Sequence, residues 1–479
     1  MVDLNKSVAV SSAQLTRISF LSGVREVVSR GLLVPGSHAR RLVHPARRPA
    51  MLTYYRAMSL RKRLQRLDQA ERLKWLTEQL QVLVRHAASE TRYYKELFRE
   101  IGFDPNLDFS FDDFARLPVL EREDVRQAGK DLISSKLPAR LLWKDATGGS
   151  TGMPTEVWLG PEEQGWRETG LEYPMKRIGV PTGVSTAFFW GHNLDPVSRD
   201  SLRDRYHDFE LNRRWFDCFR LSPQVFESYH RAFDKWRPTC IVGYASALGH
   251  FANYLLERGY KPDYPRSCLV TGAEKLLPAH RSAIEEVFKR PVHERYGSRD
   301  IGLIGFQYHP NETLDYETDW ANVLIEPETT ESVASILVTK LHADGMPMLR
   351  YRIGDVGIFP AGSLPGHPTF VLNEVIGRES ERIWLPDGRW IASTQFPHLL
   401  KDYPVKEYMC IQHSDYSVQL EIVPRNGFSE ENKNRIVEVV GANLPGIAVR
   451  VVIVEAIPRT MANKWKPVIS EVRSMVKEV

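Results

Sequence analysis

Apolar residues at helical spacing mark the early part of the chain. Between about residues 56 and 100, leucines recur mostly three or four positions apart, from Leu60 through Leu83, which is the period of a helix with one buried face. Residues 104–118 are rich in loop-forming residues, and residues 119–143 have the pattern of short helices. This part of the chain is therefore predicted to be mainly helical.

Short apolar runs alternate with helical patterns after residue 185. Four runs have turn residues at their ends and are predicted as strands: 185–191, 239–246, 267–274 and 292–300. The second and third runs are each followed by a helical pattern, and such alternation favours an α/β fold with a largely parallel sheet. Two later segments, 332–341 and 347–359, have the pattern of extended antiparallel strands.

The pattern changes again near residue 377. Two strand-like segments, 406–413 and 416–424, precede a helical pattern over 429–444 and a third strand-like segment over 447–458. A unit of about 100 residues with its own strands and helix is large enough to be a separate domain. We therefore predict an α/β protein with a basic N-terminal leader, a large N-terminal α/β domain and a small, mobile α+β C-terminal domain. The predicted boundaries are 1–66, 67–376 and 377–479.

The composition is that of a soluble globular protein. Of the 479 residues, 42% are hydrophobic, and no apolar run approaches the roughly 18–20 residues that span a bilayer. The N-terminus lacks a basic start followed by an apolar core, so no secretory signal is predicted. The four cysteines are far apart and form no CxxC pair, which predicts neither a zinc site nor a disulfide framework. These features favour a reducing, cytoplasmic location.

Positive charge is concentrated at the N-terminus. Residues 1–66 hold 13 lysines and arginines against Asp3 and Glu26, a net charge of +11, whereas the whole chain carries +4. Such a leader could contact an anionic membrane surface, nucleic acid or an acidic partner, or it could be a solvated segment with a helix or two. The solvated segment is preferred because aromatic residues are not interleaved with the charges, and no nucleic-acid partner is predicted. The sequence does not indicate an oligomeric state.

A glycine-rich stretch, TGGSTGMPT at 147–155, is the first candidate for chemistry. Glycines let backbone N–H groups converge on an anion, and the hydroxyl groups of Thr147, Ser150 and Thr151 add hydrogen-bond donors. The stretch is not a Walker P-loop, since no Gly-Lys-Ser/Thr closes it. From these residues alone, a phosphate-binding loop and an ordinary flexible turn both remain open.

Further motifs along the chain give this loop a context. TGGSTGMPT resembles the phosphate loop of the adenylate-forming superfamily, which includes acyl-CoA synthetases and adenylation domains. Further motifs similar to that family's follow in the same order: TGAE at 271–274, YGSRD at 296–300, YRIGD at 351–355, GRESERIWLPDGR at 377–389 and PRTMANKWKPVIS at 458–470. Upstream, RYYKELF and LPVLEREDVR look like the N-terminal region of phenylacetate–coenzyme A ligases and of their relatives in capsular polysaccharide biosynthesis. The resemblance covers about residues 70–479.

The resemblance implies an activity. Such enzymes are AMP-forming ligases that use ATP and Mg²⁺ to convert a carboxylic acid into an acyl-adenylate with release of pyrophosphate. Transfer to coenzyme A would follow, and the alternative is transfer to an amine in secondary-metabolite or surface-polysaccharide biosynthesis. A second alternative is a nucleotide-binding protein with impaired catalysis, because positions 300, 380 and 463 depart from the family pattern.

The resemblance also assigns residues to the nucleotide. Tyr296 would stack on adenine, Gly297 would let the base approach, and Asp355 would accept hydrogen bonds from both ribose hydroxyls. Arg378 would lie near the ribose and the phosphates. Thr151 would contact the phosphates directly and contribute to catalysis. The remaining nucleotide-binding assignments form the phosphate loop, a wall beside the adenine and part of the YGSRD motif: Thr147, Gly148, Gly149, Ser150, Gly152, Gly272, Ala273, Glu274 and Ser298.

Three further roles follow from the resemblance. Asp300 would coordinate Mg²⁺, although the family usually has a glutamate there. Lys464 would be the catalytic lysine that contacts the substrate carboxylate and the α-phosphate, with Lys466 as its competitor. Ser380 would be the hinge between the domains, since a small residue tolerates the backbone change that a hinge needs.

The acid is predicted to be an aryl or acyl carboxylic acid, which the sequence does not name further. Its candidate pocket is formed by five residues: Trp190, Gly191, Tyr244, Ala245 and Gly272. Some phenylacetate-ligase relatives carry a cysteine cluster for zinc after the YG motif. This chain has only His309 in that stretch, so no structural zinc is predicted.

Overall fold

The computed structural model describes residues 48–146, 155–190, 208, 212–218, 221–378, 382–387, 390–392, 395–400, 402–458 and 467–472. Helices and strands are mixed throughout these ranges, and the predicted α/β fold class is confirmed. No helix in these ranges is both long enough and apolar enough to cross a membrane.

The helices account for most of the first part of the structure. In chain order they are α1 (Arg48–Leu64), α2 (Gln69–Glu90), α3 (Arg92–Ile101), α4 (Phe111–Ala115), α5 (Arg122–Ala128), α6 (Pro161–Arg177), α7 (Pro223–Trp236), α8 (Ala245–Glu257), α9 (Pro278–Phe288), α10 (Gln395–Leu400) and α11 (Glu430–Asn443). Two 3₁₀ turns, Gly129–Leu132 and Ala139–Leu141, lie between α5 and the first strand.

The long helical pattern over 56–100 is divided among three helices. Asp68 ends the connection after α1, because its side chain accepts a hydrogen bond from the backbone of Glu71 and so caps the start of α2. Thr91 caps α3 in the same manner through the backbone of Tyr94. The leucine spacing widens at both breaks, from Leu67 to Leu73 and from Leu83 to Leu97, but the prediction treated the segment as one helical region.

The strands form one large sheet and several smaller ones. In chain order they are β1 (Trp143–Ala146), β2 (Glu156–Leu159), β3 (Thr186–Trp190), β4 (Arg213–Asp217), β5 (Cys240–Tyr244), β6 (Cys268–Gly272), β7 (Val292–Ser298), β8 (Gly302–Phe306), β9 (Tyr316–Thr318), β10 (Val323–Pro327), β11 (Val333–Lys340), β12 (Tyr351–Ile358), β13 (Val371–Leu372), β14 (Glu374–Arg378), β15 (Arg382–Trp384), β16 (Trp390–Ala392), β17 (Val405–Gln412), β18 (Val418–Pro424), β19 (Val449–Ile453) and β20 (Val468–Ser470). The four strands predicted between 185 and 300 are β3, β5, β6 and β7.

The large sheet has eight strands in the order β13-β9-β8-β7-β6-β5-β3-β4. Its half from β7 to β4 is parallel, and β8, β9 and β13 extend it with antiparallel strands. Helices α7, α8 and α9 supply much of the buried apolar cluster on one face of the parallel half. The carboxyl ends of the parallel strands therefore meet at one edge, where ligands bind in open α/β sheets.

A second sheet has four antiparallel strands in the order β10-β11-β12-β14, and β13 of the large sheet lies between β12 and β14 in the sequence. The predicted antiparallel segments 332–341 and 347–359 correspond to β11 and β12. The second segment begins its strand only at residue 351, because Arg350 has a positive φ of 50° that interrupts extended backbone.

The C-terminal part has a hydrophobic core of its own, formed by residues between 383 and 468. Its sheet runs β19-β18-β17-β20, and α11 packs against it. The three strands and the helix predicted here are present. Helix α10, the β15–β16 pair and β20 were not predicted, because their apolar runs are too short to show a period. The boundary at residue 377 and the mobility of this part stay predictions.

Helix α1 lies inside the segment predicted as a leader, but its side chains join the core of the large unit. Ala57 and Leu64 are buried in that core. Arg61 is 4% exposed, pairs with Asp319 and donates to Thr169 of α6 at 2.8 Å. The basic composition of this segment did not reveal that Arg61 is buried. A charged residue is almost never fully buried unless it is paired, and the sequence does not show that Asp319 supplies the partner.

The buried ion pair predicts that α1 is needed for stability. Arg61→Met should lower the free energy of unfolding by about 3 kcal/mol, because Asp319 would remain as an uncompensated buried charge. Arg56→Met is the matched control in the same helix: Arg56 pairs with Glu162 at a half-exposed position, and its loss should cost about 0–1 kcal/mol. Urea unfolding of both variants measures the difference, and equal losses would contradict an integral role for α1.

Candidate active site

The carboxyl edge of the parallel sheet gathers the residues predicted for the acid pocket. Trp190 is the last residue of β3, Tyr244 the last of β5 and Gly272 the last of β6. The aromatic rings of Trp190 and Tyr244 have centroids 4.4 Å apart, and Ala245 begins α8 as a fully buried residue. Four of the five predicted pocket residues are thus at one edge. The fifth, Gly191, lies outside the described residues.

The TGAE segment continues this edge beyond β6. Ala273 has a positive φ of 67°, an uncommon conformation for a residue with a side chain, and it turns the chain out of the strand. Glu274 then accepts hydrogen bonds from the backbone N–H and the hydroxyl of Ser246, at 3.1 and 2.5 Å. The carboxylate therefore fastens this segment to the start of α8, which is compatible with its predicted role as a wall.

Tyr296, Asp355 and Arg378 form one hydrogen-bonded cluster. The Tyr296 hydroxyl donates to Asp355 Oδ2 at 2.7 Å, and Arg378 Nε lies 3.0 Å from Asp355 Oδ1. The register of β12 and β14 places Asp355 opposite Arg378, and a further bond of 3.1 Å joins Arg378 to the Ile353 carbonyl. Three residues predicted separately for adenine, ribose and phosphate are therefore in direct contact.

Burial and the neighbouring Asp355 carboxylate raise the pKa of the Tyr296 phenol well above its usual value. The phenol therefore remains protonated and donates its hydrogen to the carboxylate. This cluster also joins the two sheets, since β7 belongs to the large sheet whereas β12 and β14 belong to the four-stranded one. We call this junction the sheet seam.

The backbone around Gly297 leaves no room for a side chain. A Cβ at this position would collide with the carbonyl oxygen of Gly302. The neighbouring Ser298 hydroxyl is buried and, within the described ranges, has no hydrogen-bond partner. Buried polar groups are normally satisfied, so this hydroxyl is available to a ligand at the end of β7.

Asp300 lies just beyond Ser298 and is 2% exposed. Its Oδ2 accepts a hydrogen bond of 3.0 Å from the Tyr351 hydroxyl, and burial together with this carboxylate raises the pKa of Tyr351. No group of three or more His, Cys, Asp or Glu side chains that could hold a metal occurs in the described part of the chain. Mg²⁺ needs only one or two protein carboxylates when substrate phosphates complete its shell. Asp300 and the unsatisfied Ser298 hydroxyl therefore fit the predicted ion.

The glycine-rich stretch is held at its base beside this turn. Strands β1 and β2 form an antiparallel pair, with Ala146 opposite Glu156, so the stretch connects the two strands of a hairpin. Arg299 Nε lies 3.4 Å from Asp145 Oδ1, and Arg167 donates to the Arg299 carbonyl at 2.5 Å. Segments about 150 residues apart in sequence are therefore brought together.

Several predicted residues have no described placement. Outside the described ranges lie the phosphate-loop residues, the hinge and both candidate lysines: Thr147, Gly148, Gly149, Ser150, Thr151, Gly152, Ser380, Lys464 and Lys466. Their predicted roles remain predictions.

Sequence reasoning missed three arginines of this region, Arg167, Arg295 and Arg299. Arg299 stands inside the YGSRD motif, and its charge next to a predicted phosphate site was the available signal. Arg295 precedes Tyr296 on the same strand, so the two-residue period of a strand places the two side chains on opposite faces. Arg167 had no signal of its own, because helix α6 was not predicted.

Comparisons with known proteins give the fold and the motifs a context. No protein-family model matches the chain. The protein CapK of Staphylococcus aureus is 23% identical over 241 residues, which are 50% of this chain and 53% of that protein. The phenylacetate-coenzyme A ligase of Pseudomonas putida is 22% identical over 333 residues, 66% of this chain and 71% of that enzyme. The chain thus matches only about half the length of the first of these relatives.

Solved structures show the same fold. A 2-hydroxyisobutyryl-CoA ligase in the postadenylation state has a TM-score of 0.62 and 19% identity, and the match covers 85% of this chain and 90% of that one. The same ligase with 2-HIB-AMP and CoA in the thioesterification state has a TM-score of 0.53 and 20% identity, covering 85% and 91%. Sequence relatives and shared fold together confirm that the chain is similar to the adenylate-forming superfamily and to its phenylacetate–coenzyme A ligase-like and CapK-like members.

Proposed function

We propose that this chain activates a carboxylic acid with ATP, giving an acyl-adenylate and pyrophosphate, and then transfers the acyl group to the thiol of coenzyme A. The observation that carries this proposal is the hydrogen-bonded cluster of Asp355 with Tyr296 and Arg378. The phenylacetate-coenzyme A ligase relatives support coenzyme A as the acceptor.

Asp355 and Tyr296 suit the nucleoside. A carboxylate has about four lone-pair positions, and the bonds from Tyr296 and Arg378 use one on each oxygen. Acceptor positions remain for the two ribose hydroxyls. The ring of Tyr296, held by its hydroxyl, would then offer a fixed face to adenine, and Gly297 would leave space for the base.

The hairpin and the YGSRD turn suit the triphosphate. Residues Thr147 to Gly152 would present backbone N–H groups to the β- and γ-phosphates, with the Thr151 hydroxyl in direct contact. Asp300, together with the Ser298 hydroxyl, would hold Mg²⁺, which when bound neutralises phosphate charge. The cationic Arg299 is fixed by Asp145 at the hairpin base and adds positive charge to the same place.

The reaction itself has two steps. A carboxylate oxygen of the acid attacks the α-phosphorus of ATP, the new C–O–P link forms, and the bond to the β-phosphate breaks to release pyrophosphate. Lys464 would stabilise the charge that develops between the carboxylate and the α-phosphate. The coenzyme A thiol, losing its proton, then attacks the acyl carbon and AMP leaves. A rotation at Ser380 would exchange Lys464 for the thiol-transfer face between the steps.

Pyrophosphate release tests the proposal. The full chain is incubated with ATP, Mg²⁺ and a panel of aryl, fatty, dicarboxylic and amino acids, and pyrophosphate is measured for each. We expect release with one acid class and AMP release that depends on coenzyme A. ATP binding without pyrophosphate release for any acid would contradict acid activation, and AMP release that requires an amine instead would contradict the acceptor.

A further inference from the structure

Arg295 stands at the acid pocket rather than at the nucleotide. Tyr296 turns toward Asp355, so the preceding residue of β7 faces the other side of the sheet. There the Arg295 guanidinium carbon lies 5.0 Å from the centre of the Trp190 ring. A Cβ on Gly272 would lie 2.9 Å from Arg295 Cγ, so the glycine leaves the space in which this side chain crosses β6.

Apolar side chains make up part of the surroundings of Arg295 on this face, together with the polar groups of Cys240 and Tyr244. Val242 and Val270 are buried in the cluster that covers the same side of β5 and β6, and Phe188 packs against it. The ring of Tyr244 completes the wall next to Trp190. An acyl group that extends from the carboxyl edge into this region would meet these side chains and the Arg295 guanidinium.

The guanidinium has no anionic partner. Across the described ranges, no side chain forms an ion pair or a hydrogen bond with Arg295, whereas Arg281, Arg299 and Arg378 of the same region pair with carboxylates. Burial lowers the pKa of Arg295 to about 10, so the group is still charged at neutral pH. The residue is half-buried, so a ligand can reach it.

The contact with Trp190 does not provide hydrogen-bond acceptors for the Arg295 guanidinium. A cation over an aromatic ring is attracted to the ring face, but none of the five guanidinium N–H donors obtains an acceptor from that contact. A carboxylate provides two parallel acceptors in the geometry that guanidinium prefers. A ligand that brings an anion into this pocket would therefore gain two charge-assisted hydrogen bonds without displacing a protein partner.

We propose that Arg295 binds a second anionic group of the acid substrate, at the end remote from the reacting carboxylate. The substrate class is therefore an acid with two anionic groups, of which a dicarboxylic acid is the simplest member. This inference rests on the proposed function and narrows its substrate. It assigns Arg295 as the residue that selects such acids over neutral-ended acids of the same length.

Matched pairs of acids test the selection. Adipate is compared with hexanoate, and 4-carboxyphenylacetate with phenylacetate, and kcat/KM is measured by pyrophosphate release in the wild type and in Arg295→Leu. We expect the wild type to prefer the dianionic member of a pair by about 10²-fold, the scale of charge-assisted hydrogen bonds. Arg295→Leu should remove that preference and leave the neutral-ended acids within a few-fold of their wild-type values.

Two further variants separate recognition from structure. Arg295→Lys retains the positive charge but lacks the two parallel N–H donors of the guanidinium. It should therefore keep part of the preference for the dianionic acids that Arg295→Leu loses. Arg258→Leu is the matched control, because Arg258 also lies over an aromatic ring, that of Tyr254 at 5.6 Å, but outside the site. It should keep the wild-type preference. An equal loss for all four acids in Arg295→Leu would show a structural role and overturn the inference.

Failure of the inference differs from failure of the proposed function. Release with neutral-ended acids that does not depend on Arg295 would overturn the inference and leave acid activation intact. Absence of release with every acid would contradict acid activation, and calorimetry would then decide the inference. Adipate binding to the wild type that is lost in Arg295→Leu would uphold it, whereas equal binding or no binding would overturn it.

Discussion

Replacing Lys464 with alanine is expected to lower the rate of pyrophosphate release by about 10²–10³-fold, the typical cost of removing one donor that stabilises transition-state charge. An ammonium that acts on the developing charge contributes little to the ground state, so the affinity for ATP should change little. The measurement is kcat for pyrophosphate release beside the dissociation constant of ATP. In the sequence the position lies between β19 and β20, and β20 runs parallel to β17.

Lys466→Ala is the matched control for that result. It removes the same charge two residues further along, next to Pro467, and should retain near wild-type release. If Lys466→Ala loses the activity and Lys464→Ala does not, the catalytic role belongs to Lys466. An equal, small effect of both would contradict a catalytic lysine in this segment.

Asp355→Asn is expected to lower kcat/KM for ATP by about 10²–10³-fold. Two hydrogen bonds from ribose hydroxyls to a charged group are weakened together, and each such bond contributes about 1.5–3 kcal/mol. The amide keeps an oxygen that can accept from Tyr296, so the fold should be preserved, whereas Arg378 loses its ionic partner. Initial rates at varied ATP give the loss.

The ribose contact is isolated by changing the nucleotide. With 2′,3′-dideoxy-ATP, which lacks both hydroxyls, wild type and Asp355→Asn should differ far less than with ATP. Glu374→Gln is the matched control, because Glu374 is a carboxylate on the neighbouring strand β14 that pairs with a cation, Lys275 at 2.5 Å, outside the cluster. An equal loss with both nucleotides would mean that Asp355 only holds the two sheets together and does not bind the ribose hydroxyls.

The fold class and much of the site could be predicted because the signals are local. The apolar runs that form β3, β5, β6 and β7 are short, continuous and bounded by turns, as buried parallel strands are. Motif residues at the ends of such strands must meet at one sheet edge. The contacts of Asp355 with Tyr296 and Arg378 do not follow from this rule, because Asp355 and Arg378 belong to the four-stranded sheet. Only the resemblance assigned all three residues to the nucleotide.

What could not be predicted depends on long-range packing. Charge alone suggested a solvated leader, whereas Arg61 is buried because Asp319, 258 residues away, supplies its partner. Arg295 looked like any strand arginine, since the sequence does not show that its neighbours on the sheet leave it unpaired. The contact of Arg167 with the base of the glycine-rich hairpin was also not predicted. Arg167 lies on helix α6, and the apolar pattern of that helix is too weak to recognise in the sequence.

Nucleotide binding at the sheet seam, as proposed above, would couple ligand affinity to thermal stability. Tyr296 on one sheet is joined to Asp355 and Arg378 on the other, so a nucleotide seated there would bridge both layers. A ligand that binds only the folded form raises its apparent stability by about 2.7 kcal/mol at one hundred times its dissociation constant. The melting temperature of this protein would then depend on nucleotide concentration, and preparations stripped of nucleotide would be the first to open along the seam.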